Sequence, residues 1–74
     1  MSLRRAPYVG APVTVAFLAR NARGTIEEVG DEGRRVVVVT DDGELIAFTL
    51  SPATGNFIEE RRPVGGARLT FQEA

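Results

Sequence analysis

Residues 35–50 constrain the fold more than any other stretch of the chain. Two apolar runs, Arg35-Val36-Val37-Val38-Val39-Thr40 and Leu45-Ile46-Ala47-Phe48-Thr49-Leu50, flank Asp41-Asp42-Gly43-Glu44. β-Branched and aromatic side chains pack well on a pleated surface, and Asp-Gly between such runs is a strong hairpin signal. A type I′ turn needs positive φ at both central positions, so the reading places Asp42 and Gly43 there. The register then pairs Val39 with Ile46, Val37 with Phe48 and Arg35 with Leu50. On the other face Thr40 meets Leu45, Val38 meets Ala47, and Val36 meets Thr49. The first face is a core face. The second is mostly apolar too, whereas a strand pair wetted on one side alternates cleanly. That face needs a cover, from the N-terminal arm, the 52–66 loop or another subunit. Val36, Val38, Leu45 and Ala47 are accordingly the expected protein interface.

The flanking segments carry the same period. Val13, Val15 and Phe17 alternate with Thr14, Ala16 and Leu18, which predicts a strand. Arg20 to Gly24 supplies a turn, and Thr25 to Val29 a second short strand that ends at Gly30-Asp31-Glu32-Gly33. After the hairpin, Ser51-Pro52 suits one helical turn, with Ser as cap and Pro at the first position. Phe57-Ile58 forms a short strand or a plug, and Ala67 to Phe71 a last strand with Ala67, Leu69 and Phe71 on one side. Pro7 and Pro12 bar a helix in residues 1–12, which read as an extended arm before a single domain at 13–74. The prediction is an all-β fold, a small antiparallel barrel of five to six strands. Closure also protects an edge as apolar as Val36 to Val39 from aggregation.

Val13-Thr14-Val15, then Gly24-Thr25-Ile26-Glu27-Glu28-Val29, then Val36 to Gly43 with Leu45 to Phe48, resembles the small SH3-like barrels of the KOW and Tudor type over residues 13–50. Members of those families bind nucleic acids, ribosomal components or protein tails, so the resemblance implies a binding role. It departs from the Tudor pattern at the aromatic cage. The chain has no Trp, and its aromatics are Tyr8, Phe17, Phe48, Phe57 and Phe71, at least three of which the core needs.

The residue inventory narrows the chemistry. With no His and no Cys there is no nucleophile or base of those types, no zinc site of the usual kind and no disulfide. Ser2, Ser51 and the threonines have no His or Lys to activate them. Asp41, Asp42 and Glu44 gather oxygen ligands, but without EF-hand spacing, and the turn accounts for them. The expectation is a non-enzyme with no cofactor, no metal and no small-molecule substrate. Met1 to Arg5 is followed by two prolines rather than an apolar segment, and no run reaches membrane-span length, so the expected location is cytoplasmic.

Charge is unevenly spread. The formal net charge is -1, yet residues 1–23 hold Arg4, Arg5, Arg20 and Arg23 without an acid, and residues 61–74 hold Arg61, Arg62 and Arg68 against one Glu. Residues 24–60 hold nine acids and two Arg. A domain of 74 residues buries about 60% of its unfolded surface and often gains support from oligomerisation. The primary expectation is therefore a non-catalytic interaction module that self-associates, as a homo-oligomer, or docks on a protein partner. The alternative is a nucleic-acid-binding barrel using Arg4, Arg5, Tyr8, Arg20, Arg23, Arg61, Arg62 and Arg68.

Overall fold

Alternating apolar residues give β1, Pro12–Ala16, with Val13 and Val15 fully buried and Thr14 and Ala16 turned outward. The computed structural model describes residues 7–62 and 66–71. It continues with β2 (Asn21–Gly30), a single 3-10 turn (Asp31–Gly33), β3 (Arg35–Thr40), β4 (Leu45–Leu50), β5 (Phe57–Glu59) and β6 (Arg68–Phe71). Every strand pairs antiparallel with its neighbour in sequence, and β6 returns to β1, closing a six-stranded barrel compatible with an SH3-like fold. Val13, Val15, Ile26, Val36, Val38 and Phe48 fill the interior with essentially no exposure. The joint between β5 and β6 has one paired position, Ile58 with Arg68. There Phe57 and Phe71 meet edge to face, with centroids 5.6 Å apart.

Two expectations from the sequence are corrected. The first turn does not lie at Arg20 to Gly24. The chain turns at Leu18-Ala19, where the Phe17 N–H donates to the Arg20 carbonyl at 2.7 Å, and β2 is already running at Asn21. β2 can be this long because it serves two partners, residues 21–25 facing β1 and residues 24–30 facing β3. A bulge at Glu27, where the register slips between Ile26 and Glu28, bends it around the barrel.

The second correction is the hairpin register. Arg35 lies opposite Thr49, Val36 opposite Phe48, Val37 opposite Ala47, Val38 opposite Ile46 and Val39 opposite Leu45. The loop has three residues rather than two. The Thr40 N–H donates to the Glu44 carbonyl at 2.9 Å, and the Gly43 N–H to the Thr40 carbonyl at 2.9 Å. Gly43 alone in this loop has positive φ, at 89°, the pattern of a turn closed by a left-handed glycine bulge. Thr40, only 5% exposed, locks it from inside: its hydroxyl donates to the Asp42 carboxylate and accepts the Glu44 N–H at 3.0 Å. One extra loop residue inverts the faces of β3. Val36 and Val38 point into the core, and Val37 and Val39 point out.

Candidate functional site

The corrected register moves the candidate interface. Val36 and Val38 have 0% exposure and contact no partner from outside, whereas Leu45 is 61% exposed and Ala47 half-buried on the outer wall. Their outward neighbours are Val37, opposite Ala47, and Val39, opposite Leu45. The outer face of β3–β4 is thus an apolar quartet, Val37, Val39, Leu45 and Ala47. The hairpin is apolar on both faces, as its sequence predicts, but β3 turns the opposite set of valines outward. The signal that fixes the side is Asp-Asp-Gly, which suits a three-residue loop ending in a left-handed glycine.

The rim of this quartet is charged. On the β2 side, exposed Glu28 pairs with Val37. On the β5 side, the Glu60 N–H donates to the Ala47 carbonyl at 2.9 Å, and exposed Arg61 and Arg62 follow. Toward the start of β3, Arg35 Nε donates to Glu60 Oε2 at 2.7 Å, and the Thr49 hydroxyl donates to the same oxygen at 3.3 Å. The hydrogen bond from Arg35 holds the Glu60 carboxyl below its ordinary range, and the reciprocal bond raises the Arg35 guanidinium. Asp42 is likewise lowered, first by the Thr40 hydroxyl and further by the Glu44 N–H.

The arginines of the alternative reading separate into groups. In a closed meander, the β1–β2, β3–β4 and β5–β6 connections share one end of the barrel. Arg20, Arg61 and Arg62 therefore lie in loops at that end, with Arg23 and Arg68 on the strands leading to it. Tyr8 does not join them. It precedes β1 at the opposite end, where the Gly10 N–H donates to the Ile26 carbonyl and Gly33 lies near Pro7. Arg4 and Arg5 lie outside the described residues. Arg20 stacks its guanidinium over the Phe17 ring, 4.3 Å from the centroid.

Other chemistry finds little to build on. Among the described residues no group of three or more acidic, His or Cys side chains is placed to hold a metal, and the buried polar residue is Thr40. No helix among them is long and apolar enough to cross a membrane.

No family model, curated protein or solved structure matches the chain.

Proposed function

We propose that the chain is a non-catalytic interaction module of the SH3-like barrel kind, working in the cytoplasm, whose principal partner is a second copy of itself. The observation that carries this reading is the outward apolar quartet Val37, Val39, Leu45 and Ala47 on a strand pair whose other face already supplies the core. Exposed Leu45 beside half-buried Val37, Val39 and Ala47 gives this wall contiguous apolar surface, which gains from exclusion of water by another surface. The rim selects a copy over an unrelated partner. A two-fold axis running along β3 and β4 sets the Glu28 rim of one protomer against the Arg61-Arg62 rim of the other, twice over. An isologous contact needs this self-complementarity.

Sedimentation equilibrium at high micromolar concentration tests the proposal. The wild type is expected to dimerise, Leu45→Asp to be monomeric, and Glu28→Arg to weaken the dimer. Leu45 is exposed in the barrel, so its replacement leaves the fold intact by circular dichroism. A strictly monomeric wild type, or a folded Leu45→Asp variant that still dimerises, overturns it.

A further inference from the structure

We infer that the outer face of β2, β1 and β6 is a docking surface for the phosphodiester backbone of a nucleic-acid strand. It is separate from the β3–β4 wall and does not depend on it. Two cross-strand rows build it. Arg23 lies opposite Thr14, which lies opposite Thr70. One row nearer the hairpin tip, Asn21 lies opposite Ala16, which lies opposite Arg68. Arg20 lies in the β1–β2 connection at the same end, one residue before Asn21, with its guanidinium over the Phe17 ring.

Three properties of this face suit a phosphate backbone. First, the rows contain no carboxylate, although the described chain is rich in acids elsewhere. Second, the residues between the arginines are small or carry hydroxyl or amide groups, the side chains that join Arg in backbone contacts. With strands about 4.8 Å apart and two residues of offset along them, the Arg23 and Arg68 backbones stand about 12 Å apart across β1, flanking a low floor on which a single strand fits. Third, among the described residues Arg20, Arg23 and Arg68 form no ion pair, although Arg20 lies within electrostatic reach of Asp42. The ion pair among the described residues is Arg35 with Glu60, on another wall. Phe17 holds the Arg20 guanidinium in place, which lowers the entropy lost on docking.

The charge pattern also gives the path. On the β3 side the face stops at the acidic turn, where the Asp41 N–H donates to the Arg23 carbonyl and Arg20 acts on Asp42. A strand crossing from Arg23 over β1 to Arg68 thus meets cations along its route. A broad anionic membrane has no such freedom, because a plane laid on this end also presses on Asp41, Asp42 and Glu44. That contrast favours a nucleic acid over a lipid surface.

Fluorescence anisotropy with a labelled single-stranded oligonucleotide tests the inference, using the full chain over a range of salt. Wild type is expected to bind at low salt with a log–log salt slope of about -2, given about 0.7 per phosphate contacted by each of the three arginines. Arg20→Gln, Arg23→Gln and Arg68→Gln combined should bring the slope near zero and abolish binding, whereas Arg34→Gln on the β2–β3 turn should change neither. Circular dichroism verifies that the triple variant folds. Absence of binding at low salt, a flat salt response, retention of binding by the folded triple variant, or capture by phosphatidylserine vesicles instead of the oligonucleotide each overturns it.

Discussion

Gly24 shows how little room the barrel leaves for a side chain where β2 turns from one partner to the other. It pairs with Val13 of β1 and with Thr40 of β3. A Cβ there would lie 2.8 Å from Val38 Cγ1 and 2.8 Å from the Val39 carbonyl oxygen. Neither neighbour can yield easily: Val38 is fully buried, and the carbonyl belongs to a strand held on both sides. Gly24→Ala is therefore expected to destabilise the domain by about 1–3 kcal/mol, the usual cost of overpacking. A lower urea midpoint at unchanged slope would register it. Gly30→Ala is the matched control. Nothing lies within 4 Å of a Cβ at Gly30, whose φ of -134° suits any residue, so stability should hold or rise slightly. Strain sits instead between β2 and β3. Asp31 and Glu32, with φ of 51° and 56°, precede left-handed Gly33 in a turn closed by the Arg34 N–H on the Asp31 carbonyl. Left-handed geometry at both central positions, expected from the sequence at Asp42-Gly43, belongs to Glu32-Gly33.

At the scale of elements, period-two alternation made β1, β4 and β6 readable, because Thr14, Ala47 and Thr70 mark the outer side against larger apolar neighbours. β3 lacks such a mark. Four consecutive valines satisfy either face, so the loop length alone sets their phase, and one residue more in the loop exchanges core and surface. β2 is longer than its sequence predicts for a related reason. Asn21 and Gly24 are turn formers in isolation; pairing with Ala16 of β1 makes a strand of the first, and pairing with Val13 and Thr40 on two sides makes a strand of the second. The arginine face was legible as charge by segment. Its geometry was not, because Tyr8 and Arg20 are near in sequence but at opposite ends of β1. The β3–β4–β5 wall carries a pH prediction through Glu60, whose folded pKa is lowered chiefly by the Arg35 hydrogen bond. A depressed carboxylate contributes stability above its unfolded pKa and loses it as pH falls through the folded one. The stability difference between wild type and Glu60→Gln should thus be present at neutral pH, begin to shrink near the ordinary carboxylate pKa of about 4, and vanish once the pH lies below the lowered folded value. Denaturant melts of both proteins across that range check the sign. A difference that persists or grows in acid contradicts the assignment.

For the whole molecule, the margin is narrow. At about 0.05–0.15 kcal/mol per residue, a domain of 74 residues holds roughly 4–11 kcal/mol in total. Among the described residues its largest fully buried side chains are one Phe, one Ile and four Val, and its closure between β5 and β6 rests on one paired position, two hydrogen bonds between Glu59 and Ala67, and the Phe57–Phe71 contact. In such a molecule an outward apolar wall and the stability of the fold are coupled. If two copies cover Val37, Val39, Leu45 and Ala47 together, dimerisation stabilises the folded state by mass action, and unfolding must also separate the protomers. The melting temperature should then rise with protein concentration. A shift of about 1 kcal/mol in stability corresponds to about 4–8 °C in a domain of this size, so a tenfold rise in concentration falls within calorimetric reach. Leu45→Asp should abolish the concentration dependence while lowering the dilute-limit melting temperature little, because the side chain it removes stands outside the core. A wild-type melting temperature independent of concentration would leave the barrel to stand on its interior alone and remove the thermodynamic reason for the apolar wall to be shared.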